Sequence, residues 1–233
     1  MKRLIGSLLA VWFGSVLFLG AQGAFVRPPE TPPWPILFGF LVPLFVFAAW
    51  YWGSSTFRET VLKADLRLLT AIQAWRAGGL AFLALNANGV LPGQFAWPAG
   101  LGDMAIGVTA PWVALALVQN PRFVKSRFFA AWNLLGILDL VVAVSMGAIS
   151  SGFVPGLAPS VTTAAMARLP LVLIPAFLVP LFVMLHVAAL VQARRDASVE
   201  SVSAARQSLH REGTFRQASA LAAAPPRSML GGR

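Results

Sequence analysis

Apolar residues run along this chain in six long blocks separated by short polar connections. The blocks cover residues 4–26, 34–52, 66–91, 95–118, 129–149 and 169–191. A helix needs about 20 mostly apolar residues to cross the hydrocarbon core of a bilayer. The pattern therefore predicts an all-α, polytopic membrane fold, a six-transmembrane-helix bundle over 1–191. From residue 192 the composition shifts to alanine, serine, glutamine and arginine. So few apolar residues cannot bury a core, and 192–233 is expected to be a mostly disordered basic tail with one helical patch around 199–209.

Local features refine the blocks. Four prolines between Arg27 and Pro33 make a stiff connection, because proline cannot continue a helix. The stretch 54–65 reads as a polar loop, and Trp50, Tyr51 and Trp52 form an aromatic belt before it. Block four is the least regular. Pro98, Gly100, Gly102 and Pro111 suggest a broken helix whose inner half starts at Asp103 as an N-cap. Pro170, Pro175 and Pro180 predict bends in block six. A cleaved signal peptide is the rival reading of block one, with Ala21-Gln22-Gly23 as cleavage site, but the apolar run is long for that.

Composition agrees with the blocks. The chain is 58% apolar and 11% charged, against roughly 45–50% and 25% in soluble domains. It has no cysteine, which excludes disulfides, thiolate metal sites and cysteine nucleophiles. The net charge of +10 would suggest nucleic acid in a soluble protein. Here the basic residues sit at block ends and in the tail. Alternating six spans from a cytoplasmic N-terminus puts fifteen of the 18 basic residues on the cytoplasmic side and two, Arg27 and Arg168, on the other. That satisfies the positive-inside rule with both termini cytoplasmic. The expected partners are the bilayer and its anionic lipids, with no nucleic acid.

Three charges lie deep inside the blocks, Arg76, Asp103 and Asp139, while Arg67 stands at the mouth of the third block. An arginine at a helix centre costs roughly 2.5–3.5 kcal/mol on insertion scales, so pairing is expected. By a rise of 1.5 Å per residue, Arg76 and Asp139 both lie roughly 13–15 Å from the cytoplasmic end of their spans. They are the expected pair, with Asp103 above and Gln73 and Asn133 below. Gln73 and Arg76 share a face at a spacing of three, as do Asn133, Gly136 and Asp139. His186 is expected nearer the cytoplasmic end; it is a further candidate for the path, as a proton relay or ligand, with a satisfied interface histidine as the preferred reading. No metal or cofactor constellation is apparent.

Intramembrane charge suggests a path or binding site for a small solute or a proton, with Arg76 holding an anionic group or a carboxylate. The alternative is a structural or assembly subunit whose cluster is a sealed ion pair. A membrane-embedded enzyme is a third reading. Gly100-Leu101-Gly102-Asp103 resembles the Gly-x-Gly-Asp signature of intramembrane aspartyl proteases, where two close carboxylates share a proton. In that family the second aspartate precedes it, after a tyrosine; here Asp139 follows, behind Leu138, and the family's Pro-Ala-Leu element is absent from the last block. Over its six spans the chain resembles a set of uncharacterised six-helix bacterial inner-membrane proteins. The resemblance rests on Gln73-x-x-Arg76, Pro98-Ala99-Gly100-x-Gly102-Asp103, Trp132-Asn133-x-x-Gly136-x-x-Asp139 and the proline-rich last span. It implies class and location and no activity.

Overall fold

Seven helices make up the described part of the chain. The structure, a computed structural model, describes residues 1–28, 31–153 and 159–195. The helices are α1 (Lys2–Ala21), α2 (Trp34–Gly53), α3 (Ser55–Leu62), α4 (Leu66–Ala87), α5 (Gly93–Gln119), α6 (Arg127–Ile149) and α7 (Ile174–Arg195). All but α3 are long and apolar enough to cross a membrane, and no strand occurs among the described residues. Residues 1–193 form one compact unit. The tail expected to be disordered, with its patch at 199–209, lies outside the described residues beyond Arg195.

Two helices stop short of the apolar blocks that encode them, for one reason. Block one runs to residue 26 but α1 ends at Ala21; block three runs to residue 91 but α4 ends at Ala87. Gly23 and Gly89 each adopt φ near +70°, where a Cβ is strained. Each closes a Schellman motif. The N–H groups of Ala24 and Val90 donate to the Leu19 and Leu85 carbonyls, and those of Gly23 and Gly89 to Gly20 and Asn86.

The stretch 54–65 is not a plain loop, because it contains α3. Ser54 caps that helix by accepting from Phe57 N at 3.3 Å. Phe57 and Val61, four residues apart, are buried on one face and pack against Ala188 of α7. Trp50 of the expected belt stacks on Phe57 with ring centroids 4.1 Å apart. Asp65 then caps α4, accepting from Arg67 N at 2.9 Å and Arg67 Nε at 3.1 Å. The Arg67 side chain and backbone N–H hold the Asp65 carboxyl below its ordinary range.

Block four is also corrected. α5 is continuous through Pro98 and Pro111, its N-cap is Pro92, and Asp103 lies mid-helix. Its buried positions, among them Ala96, Ala99, Asp103, Ile106, Ala110 and Val113, recur every three or four residues and make one inward face. α5 is central and packs against both α4 and α6.

The irregular helix is α4. Residues Gln73–Gly79 form a 3-10 segment in its middle. With three residues per turn, i and i+3 eclipse. Gln73, Arg76 and Gly79 therefore fall on one line, and all three are buried. The narrow segment lies against the glycine-rich face of α5. A Cβ on Gly107 would collide with the backbone of Arg76 and Ala77, and the carbonyl oxygen of Gly100 lies close to Gly79.

α7 begins at Ile174, later than block six, since Pro170 sits in a turn. Its first turn is a π-helix over Ile174–Leu178 holding Pro175. It continues past the block end at 191. Gln192 is buried there and donates to the Val61 carbonyl at 2.8 Å.

The backbone contact at Gly107 predicts a large asymmetry between two alanine substitutions. Gly107→Ala should lower the melting temperature of detergent-purified protein, at an overpacking cost of about 1–3 kcal/mol or more. Gly6→Ala, whose Cβ meets nothing within 4 Å, should leave it unchanged. Equal melting temperatures would show that α4 and α5 do not cross so closely.

Candidate functional site

Arg76 is the largest fully buried side chain among the described residues, and α4, α5, α6 and α7 converge on it. Its Nε donates to Asp103 Oδ1 at 2.7 Å. Its Nη2 donates to Asp139 Oδ2. Its Nη1 faces the Gly136 carbonyl at 3.2 Å and His186 Nε2 at 3.1 Å. A guanidinium has five N–H donors, so four are taken up by protein. The expected Arg76–Asp139 pair is present, and Asp103 joins it on the same cation.

His186, which the sequence placed nearer the cytoplasmic end, joins the cluster. It is almost fully buried beside Arg76. Arginine only donates, so Nε2 accepts and the ring is the neutral Nδ1–H tautomer. Nδ1 then donates to Asn133 Oδ1 at 2.9 Å, and Asn133 Nδ2 donates to the Phe129 carbonyl at 2.8 Å. Gln73 Nε2 donates to the Phe182 carbonyl of α7 at 3.3 Å. Gln73 Oε1 and Thr70 Oγ1 are buried with no hydrogen-bond partner. The spacing of α7 alone could not find His186, because its inclusion depends on where that helix ends.

A second feature was missed. Each partner of Arg76 sits against a glycine of the preceding helix. A Cβ on Gly79 of α4 would press on Asp103 of α5. One on Gly102 of α5 would overlap the Asp139 carboxylate of α6. One on Gly136 of α6 would overlap the His186 ring of α7. Glycine at these positions makes the room in which the charges meet. The sequence carries the signal: Gly79, Gly102 and Gly136 each lie one or three residues from a charged position.

A cavity of about 600 Å³ reaches the cluster from one end of the bundle. Phe25, Phe82, Phe95, Leu140, Ala143 and Val144 give it largely apolar walls, and Arg27 and Arg168 also line it. Asp103 is its contact with the cluster; Arg76, Asp139 and His186 do not line it. The two carboxylates keep slight exposure, 12% and 13% of the side chain, whereas Arg76 keeps none. Among the described residues no group of three His, Asp or Glu side chains could hold a metal ion.

The chemistry is that of one cation shared by two carboxylates and fixed by a neutral imidazole. With both carboxylates ionised the cluster carries one net negative charge, which one proton or one cationic group would balance. Each carboxylate is turned onto Arg76, an arrangement unlike the proton-sharing dyad of the aspartyl proteases. The imidazole link predicts coupling. His186→Ala leaves an Arg76 N–H and Asn133 Oδ1 without partners, at about 1–3 kcal/mol for buried groups. In a double-mutant cycle, His186→Ala and Asn133→Ala should lower the melting temperature less together than the sum of each alone. Strict additivity would mean that the two side chains do not interact.

No curated protein and no solved structure matches this chain. A family does, over residues 32–194, which takes in α2 to α6, nearly all of α7 and every residue of the cluster. The chain belongs to that family, described as a domain of unknown function (DUF8737).

Proposed function

We propose that this chain is a multi-pass protein of the bacterial cytoplasmic membrane, with both termini inside, that binds or translocates a proton or small solute at the Arg76–Asp103–Asp139 cluster. Exposed Val11, Phe45, Trp75, Trp112 and Leu135 on five of the long helices give the bundle an apolar outer surface suited to lipid. The excess of basic residues at the other end supports the orientation. Connections 22–33, 88–92 and 150–173 then lie outside, and the cavity opens toward that side.

The observation that carries the reading is the double position of Asp103. It is bonded to Arg76 and lines the cavity. A group arriving through the cavity meets a carboxylate before it meets the cation. Arg76 has little donor capacity left for a solute, so the direct ligand is a proton or a hydrogen-donating group on Asp103. His186, Asn133 and Gln73 continue the polar line on the far side.

A second reading has its own support. Arg76 is wholly enclosed and four of its five donors are taken up by protein, as in a sealed packing ion pair of a structural or assembly subunit. The two readings part on variants. Arg76→Leu alone strands two buried carboxylates and should cost about 3–5 kcal/mol, whereas removing all the charges together is often tolerated. The triple variant Arg76→Leu, Asp103→Asn, Asp139→Asn should therefore melt closer to wild type than Arg76→Leu alone. In proteoliposomes holding a pH dye, wild type should pass protons under an imposed potential, and the triple variant and Asp103→Asn should not. Flux through folded Asp103→Asn equal to wild type would remove the path reading and leave the packing one.

Access can be tested separately, because the chain has no native cysteine. Gly147→Cys lines the cavity and its Cβ meets only ordinary contacts at 3.5 Å. A membrane-impermeant thiol reagent should label it from the outer face alone. Protection from both faces, in protein shown to be folded, would mean that the cavity is closed to water.

A further inference from the structure

Arg27 and Arg168 are the only basic residues in the three connections at the cavity end of the bundle, 22–33, 88–92 and 150–173. They come from different connections, one before α2 and one before α7, yet both line the same cavity. Both are exposed, and neither has an ion-pair partner among the described residues. Basic residues are disfavoured on the non-cytoplasmic side. Two that occur there and both border one cavity therefore need an explanation beyond topology.

The cavity beneath them is built for an apolar body. Its volume, about 600 Å³, falls within the range of roughly 300–1,000 Å³ typical of small-molecule pockets. Asp103 lies ten residues into α5, so the cavity extends about 15 Å from that end by the helical rise. The sequence of chemistries along it is cationic at the connections, apolar along the walls and acidic at the floor. Guanidinium groups match carboxylates and phosphates in a bidentate fork. Low-dielectric walls strengthen the field that such charges project.

We propose that this cavity binds an amphipathic organic anion, its carboxylate or phosphate held by Arg27 and Arg168 and its apolar body inside. The negative head stays about 15 Å from Asp103 by the same rise, so the two ends of the cavity do not compete for one charge. The occupant deepens the function proposed above, and rests on it in placing these connections on the non-cytoplasmic side and in giving Asp103 the floor. Arg27 and Arg168 take the anion-holding part that sequence alone assigned to Arg76.

Dodecanoate is a suitable probe, with dodecanol and dodecyltrimethylammonium as chain-matched neutral and cationic controls. Binding is measured by equilibrium dialysis of labelled probe against the full chain in phosphatidylcholine nanodiscs, with empty nanodiscs subtracted. Saturable dodecanoate binding at least tenfold tighter than that of either control is expected. The Arg27→Gln, Arg168→Gln double variant, melting like wild type, should lose at least tenfold in dodecanoate affinity. Arg122→Gln at the opposite end should lose none. Repeating the assay with phosphatidylglycerol in the disc separates the sources. Competition identifies a bilayer lipid as the natural occupant, and its absence a free organic anion; both support the shared chemistry. Non-saturable binding, equal binding of dodecanol, or unchanged affinity in the double variant would overturn the proposal. Asp103→Asn separates the two ideas: it should abolish proton flux yet leave dodecanoate affinity within about twofold.

Discussion

The polar interior of the bundle is arranged around one guanidinium. Arg76 stands inside an apolar helix, where an unpaired charge would cost several kcal/mol. Three separate helices supply what offsets that cost: Asp103 from α5, Asp139 and the Gly136 carbonyl from α6, and His186 from α7. The fork geometry of arginine is what lets one side chain serve all three. A lysine ammonium has three donors and no plane, so it could not face the same set. The tertiary structure thus follows from a local fact, an arginine at position 76, together with the demand that its donors be filled.

Meeting that demand takes space as well as chemistry. Gly79, Gly102 and Gly136 step around the bundle, each leaving the gap that the polar side chain of the next helix enters. The 3-10 turn of α4 serves the same end by drawing Gln73, Arg76 and Gly79 into one row. Six of the helices are long and apolar enough to cross a membrane, and between helices of that kind small residues allow close packing while polar side chains bond across. Glycines and charges at the same level of the bundle are then two parts of one association surface.

The six long helices were readable because length and hydropathy alone define them, and the charges stood out against that background. Arg76, Asp103 and Asp139 were found from cost. Gln73 and Asn133 were found from spacing. The errors have physical origins. Phe57 and Val61 hid in a polar stretch, and only contact with α7 shows that they make a buried face. The prolines of α5 suggested a break, but an apolar helix packed on both sides keeps its course when its neighbours satisfy the freed carbonyls. His186 was placed too shallow because α7 runs on to Arg195, past the block end at 191, which puts it nearly level with Arg76. The cavity was invisible in sequence, since its walls come from connections and helices far apart in the chain.

The two sides of the cluster differ, and the difference gives direction to the functional reading. Toward one end, Asp103 meets an apolar cavity with arginines among its lining residues. Away from the cavity lining, His186, Asn133, Gln73 and Thr70 are all buried, His186 bonded to Asn133 and Gln73 to the Phe182 carbonyl. Two oxygens there, Thr70 Oγ1 and Gln73 Oε1, have no protein partner, and buried polar atoms of that kind ordinarily bind water. The cluster therefore borders an apolar cavity through Asp103 and a buried polar line through His186 and Asn133. The neutral imidazole between Arg76 and Asn133 is the group that joins the two halves.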